Sequence, residues 1–340
     1  MRKHFVGISI AKVLLLLFVG VSFMACNPDP VDPDFPETFG VRHDKALAEY
    51  ESVATNQAPY NTADYPDFSS VVMFNYSLDG SDNRELLATG TLVHPEWILT
   101  AGHNFFDPQE QTSPALVGGI QVLAGNDPNN PSATYEVESL IFHPTYITSD
   151  GSYDLGNDLC LVKLKNPISN ITPSTMHTTS TEPIGGVTWY CGYGDYSTQA
   201  GQDKDLFSKK HAVQNTLDRK VDGLTSGTGG NTFPGGLLAF DFDSPMGNVN
   251  SLGDDLVNTD EALLGAGDSD AAALDFEGTT VQGDSGGPLF VEIDGVWQLT
   301  GVLSGGADQP IDDHKDSSYG DISIFMRIST NKAWIESVIN

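Results

Sequence analysis

The sequence is poor in cysteine and in basic residues. Three cysteines and 16 lysine and arginine residues occur among 340 residues, against 46 aspartate and glutamate residues. So little cysteine excludes a scaffold held together by disulfides. The formal net charge of −30 excludes nucleic acid as a partner, because no excess of basic charge is available to neutralise phosphates. Cys160 and Cys191 occur in apolar runs, which predicts buried small hydrophobic residues and not reactive thiols or metal ligands.

Long helical periodicity and repeats of fixed period are also absent, which excludes helical bundles and solenoids. Short β-like runs instead follow one another from about residue 68 to residue 328, separated by Gly, Pro, Asn and Asp. This pattern predicts an all-β sandwich or barrel. Only the last residues differ, since Trp334, Ile335 and Val338 have helical spacing after Ser329 and Thr330, two residue types that cap helices. We expect a short C-terminal helix over about residues 330–339.

The first 26 residues form a separate unit, in which basic residues precede an apolar run that reaches Phe23. This is the pattern of an export signal. Met24, Ala25 and Cys26 then resemble the cleavage box of bacterial lipoproteins, which implies a lipid on Cys26. Ordinary cleavage after Ala25 and retention as one membrane helix are the alternatives. Residues 27–40, rich in Pro and Asp, predict an extended acidic tether. We therefore expect an outer-membrane or cell-surface lipoprotein, or a secreted protein.

Three motifs carry residues with catalytic chemistry. They are Trp97–His103, an apolar run that ends in a histidine; Asn157–Leu164, an aspartate that opens an apolar run; and Gly283–Leu289, a serine among glycines. The last motif contains Gly-x-Ser-x-Gly, which also fits the nucleophile elbow of α/β-hydrolases. In those enzymes the chain order is Ser, then Asp or Glu, then His. Here the order is His, Asp, Ser, which argues against that fold.

Each residue type in this order has a chemical reason. A serine hydroxyl is a weak nucleophile at neutral pH, so a neutral imidazole must accept its proton during attack on an acyl carbon. An aspartate then holds the imidazole in the right tautomer, and backbone amides stabilise the oxyanion. The sequence predicts His103 as base, Asp158 as its orienting residue and Ser285 as nucleophile, with the oxyanion bound by the amides of Gly283 and Ser285.

These motifs together resemble the chymotrypsin/trypsin-like serine protease family (S1-type), over about residues 65–339. The resemblance implies two antiparallel six-stranded β-barrels within a peptidase domain at 41–340, with barrel 1 at about 65–170 and barrel 2 at about 183–328. It implies a secreted or surface-anchored serine endopeptidase that acts on proteins or peptides through an acyl-enzyme, as a monomer without a cofactor. The alternative is a catalytically inactive surface protein that uses this fold to bind a partner.

The sequence departs from the family at several positions. The cysteines of one family disulfide are replaced by Ala88 and Asn104. No Ile-Val-Gly-Gly motif is present, although the family usually places such a cleaved terminus beside the aspartate before the nucleophile, here Asp284. We hypothesise that proteolysis near Gly40 frees an equivalent terminus. The alternative is that Val41–Asp44 is a solvated linker.

The resemblance also implies the residues of the substrate pocket. Thr279 stands at the pocket floor, where trypsin-like enzymes have an aspartate, so cleavage after Lys or Arg is disfavoured. Ser304, Gly306 and Ser323 are the other pocket residues. Together they imply a pocket open to an apolar or medium-sized side chain.

Acidic residues between the motifs form a weaker candidate site. Asp241, Asp243 and the acids around Asp254 and Asp268 are the oxygen ligands that calcium takes. No EF-hand spacing is present. We favour solvated loop acids over a calcium site.

Overall fold

The computed structural model describes residues 38–108, 113–147, 157–198, 209–225, 232–253, 269–307 and 317–340. The predicted signal, Cys26, most of the tether, Asp254 and Asp268 lie outside the described residues. The stretch Glu37–Asn340 forms one compact unit.

Six strands close into an antiparallel barrel in the order β1-β2-β3-β6-β5-β4. Their interior is filled by large apolar side chains, among them Phe74, Ile98, Phe105 and Val162. Two short 3₁₀ turns, Phe68–Ser70 and Val117–Gly119, precede β1 and β4. The strands are β1 (Val71–Tyr76), β2 (Leu86–His94), β3 (Trp97–Thr100), β4 (Ile120–Ala124), β5 (Ala133–Phe142) and β6 (Cys160–Leu164).

The second half of the chain forms a seven-stranded antiparallel sheet in the order β8-β7-β11-β12-β13-β10-β9. The expected chymotrypsin-like architecture is therefore confirmed, but the expectation of six strands in the second barrel was wrong. The extra pairing is the β9–β10 hairpin, which carries register shifts between Phe233 and Leu237. The strands are β7 (Val187–Gly192), β8 (His211–Thr216), β9 (Arg219–Thr225), β10 (Thr232–Asp241), β11 (Pro288–Ile293), β12 (Val296–Ala307) and β13 (Ile322–Arg327).

In the described part of the chain, two α-helices flank the second sheet. Helix α1 (Leu47–Ala54) was not predicted, and it buries Tyr50 and Val53 in the core of that sheet. Helix α2 (Ile328–Ile339) confirms the C-terminal helix. Its N-cap is Arg327, so the expectation that Ser329 or Thr330 caps it was wrong.

The start of α2 is held by a buried ion pair. Arg327 donates through Nε to Glu182 Oε1 at 2.7 Å, and Ser329 donates to the same oxygen at 2.7 Å. Ser329 cannot be the N-cap because it lies inside the helix, where its hydroxyl bonds Glu182. No helix in the described part of the chain is long and apolar enough to cross a membrane.

Candidate active site

His103 and Asp158 meet because their strands are neighbours. Strand β3 pairs antiparallel with β6, and Thr100 lies opposite Cys160. The turn after β3 therefore lies beside the residues that precede β6, Asp158 among them. His103 Nδ1 is 2.7 Å from Asp158 Oδ2, and the His103 backbone N–H donates to Asp158 Oδ1 at 2.8 Å. The carboxylate thus fixes both the ring and the backbone of the histidine, and leaves the opposite ring nitrogen, Nε2, as the base.

The charges of this pair shift both pKa values. Burial acts to lower the pKa of His103, but the charge and hydrogen bond of Asp158 outweigh it, so the pKa of His103 is raised. Burial acts to raise the pKa of Asp158, but His103 and the Ser304 hydroxyl outweigh it, so the pKa of Asp158 is lowered. Asp158 is therefore a stable carboxylate, as an orienting residue must be.

Ser304 does more than the sequence predicted. It was expected to line the substrate pocket, and the structure shows its buried hydroxyl donating to Asp158 Oδ2 at 2.5 Å. Because Ser304 belongs to β12 of the second sheet, this hydrogen bond joins the second sheet to the aspartate of the first barrel. It supplies the third hydrogen bond to the Asp158 carboxylate.

The loop of Ser285 turns sharply before β11. Gly283 and Gly286 have φ values of +99° and +86°, a backbone conformation that suits glycine. A side chain on Gly286 would also collide with Thr100 Oγ1, so this loop can lie directly against the end of β3. The Ser285 carbonyl accepts hydrogen bonds from the Thr89 N–H at 2.9 Å and from Asn104 Nδ2 at 3.1 Å. The serine is thereby fixed next to the turn that carries His103.

Two amides of this loop are available to a ligand. The N–H groups of Asp284, Gly286 and Gly287 donate to backbone carbonyls at 2.8–3.1 Å. Within the described residues, the N–H groups of Gly283 and Ser285 have no acceptor. Since buried or half-buried amides are nearly always paired, these two are the donors that an oxyanion would use. They are the two amides that the sequence predicted for this role, which stays a prediction.

Asp284 lies in the interior beneath this loop. It is fully buried, and its two carboxylate oxygens accept hydrogen bonds from the N–H groups of Gly194 at 2.8 Å and Val281 at 3.0 Å. The Tyr190 hydroxyl donates to the Asp284 carbonyl at 3.0 Å. The residue before the nucleophile therefore ties the loop to the segment that follows β7. The sequence predicted this organising role for Asp284.

The predicted pocket residues are brought together around a set of hydroxyl groups. Ser323 Oγ is 3.0 Å from Thr279 Oγ1 and 3.0 Å from Thr280 Oγ1. Gly306 lies opposite Ser323 in the pairing of β12 with β13. Sequence reasoning missed Thr280, whose only signal was its place next to Thr279. Four of these residues, Thr279, Thr280, Gly306 and Ser323, form a pocket group with no carboxylate among them.

Comparison with known proteins agrees with this geometry. The family model described as Trypsin matches residues 61–228. This range contains His103 and Asp158 and ends before Ser285. The chain is similar to granzyme M of Rattus norvegicus, with 33% identity over 101 residues, which cover 29% of this chain and 36% of granzyme M. It is also similar to tryptase of Mus musculus, with 28% identity over 224 residues, which cover 64% of this chain and 68% of tryptase. The chain thus matches just over a third of the length of granzyme M.

The segment before α1 is packed and not solvated. The Gly40 N–H donates to the Ser317 carbonyl at 2.7 Å, and the Gly40 carbonyl accepts from the Thr279 N–H at 2.9 Å. Val41 is fully buried. The alternative of a solvated linker is therefore wrong for Val41, because the chain here is buried against Thr279. The hypothesis of proteolysis near Gly40 stays a prediction.

Asp241 and Asp243 are also buried, with relative exposures of 0% and 4%. The expectation of solvated loop acids was wrong for these two. They share the interior of the second sheet with Asp218 and Glu277, and burial with mutual repulsion raises the pKa of Asp243 to about 9. Within the described residues, no three His, Cys, Asp or Glu side chains are arranged to hold a metal ion. Burial therefore favours the protonated form of these acids.

Proposed function

We propose that this chain is a serine endopeptidase that hydrolyses peptide bonds through an acyl-enzyme on Ser285. The observation that carries the proposal is the coincidence of two features: the His103–Asp158 pair at 2.7 Å and the adjacent Ser285 loop with its two unpaired amides. The similarity to the Trypsin family model and to two proteins named as granzyme and tryptase supports a serine protease.

The reaction uses each of these groups in turn. Ser285 Oγ attacks the carbonyl carbon of the scissile bond while His103 accepts its proton, and the amides of Gly283 and Ser285 stabilise the oxyanion. The imidazolium then protonates the leaving amine, which departs and leaves an ester on Ser285. Water, deprotonated by His103, attacks this ester and releases the acid. Asp158 stays ionised throughout and stabilises the imidazolium.

A fluorophosphonate probe tests the proposal directly. We expect the purified protein to be labelled on Ser285, and Ser285→Ala to be unlabelled with peptide hydrolysis lowered by roughly a millionfold. Ser269→Ala is a matched control, because Ser269 bonds Asn250 away from the triad, and it should be labelled like the wild type. If the wild type carries no label, the chain is instead a non-catalytic protein that binds a partner.

We also propose that the enzyme does not prefer Lys or Arg before the cleaved bond. A cationic side chain entering the pocket would meet hydroxyl groups of Thr279, Thr280 and Ser323, and these three residues offer none of the negative charge that a buried cation needs. An apolar or medium-sized side chain is the better occupant. A peptide-library profile dominated by Lys or Arg would overturn this specificity.

For location, we propose export and attachment to a membrane by a lipid on Cys26. The support is the sequence pattern of the first 26 residues followed by an acidic tether. Cells given a clickable fatty acid should incorporate it into the wild type and not into Cys26→Ser. A soluble, unlabelled wild type in the culture medium would instead indicate free secretion.

A further inference from the structure

Tyr190 lies in β7 with its hydroxyl buried beneath the nucleophile loop, Gly283–Gly287. It pairs with Leu289 of β11, the strand that this loop leads into. Its relative exposure is 1%, and its ring packs against Phe325 with a centroid separation of 5.9 Å. A hydroxyl buried to this extent needs a hydrogen-bond partner inside the protein.

The partner of this hydroxyl is the Asp284 carbonyl, the one just before the nucleophile. Tyr190 Oη donates to it at 3.0 Å, and the Gly287 N–H donates to the same oxygen at 2.8 Å. Burial and the charge of the Asp284 carboxylate raise the pKa of Tyr190, so the hydroxyl keeps its proton at neutral pH and stays a donor. The carbonyl is thus held by one donor within the loop and one from β7.

Two glycines leave the space that the Tyr190 hydroxyl occupies. A side chain on Gly192, at the end of the same strand, would collide with Tyr190 Oη. A side chain on Gly287, two residues after the nucleophile in the sequence, would collide with it as well. The hydroxyl is therefore enclosed from the side of its own strand and from the side of the loop, and its contact with the Asp284 carbonyl is part of how the loop packs.

The Asp284 carbonyl and the Ser285 N–H belong to one peptide unit. Such a unit is planar and trans, so its carbonyl and its N–H point in opposite directions. A donor that fixes the carbonyl therefore also fixes the direction of the Ser285 N–H, which has no acceptor within the described residues. The hydrogen bond from Tyr190 also polarises the peptide unit, which strengthens the N–H as a donor at the other end.

We propose that Tyr190 is a positioning residue that aims the Ser285 N–H at the oxyanion and strengthens it as a donor. The inference rests on the proposed function, in which this N–H is one of the two oxyanion donors. Tyr190 acts through the Asp284–Ser285 peptide unit and supplies no donor of its own to the substrate. Its effect therefore belongs to the transition state, where the oxyanion exists, and not to the binding of uncharged substrate.

The test compares two inhibitors that carry the same peptide, chosen from the library profile of the wild type. One is a peptidyl trifluoromethyl ketone. The Ser285 oxygen bonds the ketone carbon, the hydroxyl proton passes to His103, and the ketone oxygen becomes the oxyanion. The other is the corresponding alcohol, which binds without forming this bond and has no oxyanion. The ratio of the two affinities therefore measures how well the site stabilises the oxyanion.

Tyr190→Phe should bind the ketone about tenfold more weakly and lower kcat for a peptide amide by a similar factor. This loss is smaller than the cost of about 10²–10³-fold for removing an oxyanion donor outright, because the N–H stays and only its direction and strength change. The affinity for the alcohol and the KM of the peptide amide should match those of the wild type, since neither involves the oxyanion.

Tyr193→Phe is the matched control. The relative exposure of Tyr193 is also 1%, and its hydroxyl donates to the backbone carbonyls of Val71 and Gly125, which lie outside the nucleophile loop. Both variants lose a buried hydroxyl that bonds backbone, so we expect both to unfold at lower urea concentrations than the wild type. Tyr193→Phe should nevertheless keep the wild-type affinity for the ketone and the wild-type kcat.

Two results would overturn the inference and leave the enzyme intact. One is a Tyr190→Phe protein whose ketone affinity and kcat equal those of the wild type. The other is an equal loss of ketone and alcohol affinity, which would mean that Tyr190 supports the site as a whole and not the oxyanion. A wild type that neither hydrolyses peptides nor takes the fluorophosphonate label would instead remove the proposed function itself.

A second substitution decides the matter if Tyr190→Phe does not fold. A ring-fluorinated tyrosine introduced in place of Tyr190 keeps the shape of the side chain and makes its hydroxyl a stronger donor. The ketone should then bind about twofold more tightly, because a stronger hydrogen bond polarises the peptide unit further, and the affinity for the alcohol should be unchanged. A ketone affinity equal to that of the wild type would overturn the inference.

Discussion

At the scale of single residues, Asp158 is fixed by three hydrogen bonds. Its carboxylate accepts hydrogen bonds from the His103 backbone, the His103 ring and Ser304. Asp158→Asn keeps the shape but presents an N–H where the ring needs an acceptor, so we expect kcat to fall about 10⁴-fold with the fold intact. Steady-state hydrolysis of a peptide ester, with circular dichroism as the fold check, measures this effect.

The same variant should change the pH dependence. The base must be neutral, so wild-type kcat/KM falls as pH drops through the pKa of His103, which Asp158 raises above its ordinary 6.5. Without that carboxylate, the acid limb of Asp158→Asn should move to lower pH. An unmoved limb would mean that Asp158 does not set the charge of His103.

Asn104 joins the two halves of the site where the family has a disulfide. Its Nδ2 donates to the Ser285 carbonyl and to Thr100 Oγ1, both at 3.1 Å. Asn104→Ala removes both hydrogen bonds and leaves the Ser285 carbonyl with the Thr89 N–H as its one remaining donor among the described residues. We expect the free energy of unfolding to fall by about 1–3 kcal/mol and kcat/KM to fall about tenfold, because Ser285 is held less firmly. Urea unfolding measures the loss of stability. Peptide hydrolysis at temperatures well below the unfolding midpoint measures the loss of kcat/KM.

Asn215 offers a matched control for Asn104. Its Nδ2 also bridges two buried carbonyls, those of Asp241 and Gly278, but neither belongs to the nucleophile loop. Asn215→Ala should lose similar stability with a smaller loss of kcat/KM. If the two variants lose activity equally, Asn104 has no special role in holding Ser285.

The residues that sequence alone could predict are those with a local signature. His103, Asp158 and Ser285 stand in short motifs whose neighbours are apolar strands or glycines. Each motif by itself therefore predicts a turn that presents its catalytic residue. Ser304 and Asn104 bond partners more than 140 residues away in the sequence. Nothing in their own neighbours signals a role, because the contact exists only after the strands have paired.

At the scale of elements, β9 and α1 show where the sequence pattern fails. The strand Arg219–Thr225 shows little alternation of apolar and polar residues and contains Arg, Lys, Asp and Gly, so its sequence does not have the usual pattern of a strand. It forms because it can pair with β10, whose apolar residues Leu237 to Phe240 are buried. Helix α1 is only eight residues long and is stabilised by packing Tyr50 and Val53, which is a tertiary effect.

The end of β10 carries a prediction on stability. The pKa of Asp243, next to the strand, is raised from 3.8 to about 9 by burial and by Asp241. The native state therefore holds a proton that the unfolded chain releases, so this contribution is complete below pH 3.8 and is lost as pH rises through about 9. Asp243→Asn, which cannot ionise, should lose less stability than the wild type between pH 6 and pH 9. Urea unfolding at a series of pH values measures this.

An exposed acid provides the control for Asp243. The Asp82 side chain is 96% exposed, so Asp82→Asn should follow the wild-type dependence on pH. The measurement is made in excess chelator and again with added calcium. If Asp243→Asn is as sensitive to alkaline pH as the wild type in chelator, Asp243 does not hold the proton. If added calcium raises the urea midpoint of the wild type and not that of Asp243→Asn, the buried acids around Asp243 instead bind a cation.

At the scale of the whole molecule, the site depends on both sheets at once. The first barrel supplies His103 and Asp158, and the second sheet supplies Ser285 and Ser304. This division was predictable, since the order of the motifs places the serine in the second half of the chain. The contacts of Asn104 and Ser304 that join the two halves were not predictable, because they are hydrogen bonds between segments far apart in the chain.

The net charge of −30 leads to a prediction for the entire chain. Self-repulsion destabilises a compact acidic protein more than its expanded unfolded chain. Salt shortens the reach of this repulsion, with a screening length of about 10 Å at 0.1 M and about 3 Å at 1 M. We expect the melting temperature to rise between about 0.02 M and 0.5 M NaCl, a range over which screening takes effect. Differential scanning calorimetry of the wild type at constant pH measures this rise.

The control separates screening from general stabilisation by solutes. Sucrose stabilises folded proteins through exclusion from their surface and does not screen charge, so its effect should be the same at low and high salt. The salt effect should in turn shrink near pH 4.2, the isoelectric point, where the net charge that drives the repulsion vanishes. A rise with salt that is equally large at that pH would show that the acidic surface is not its cause.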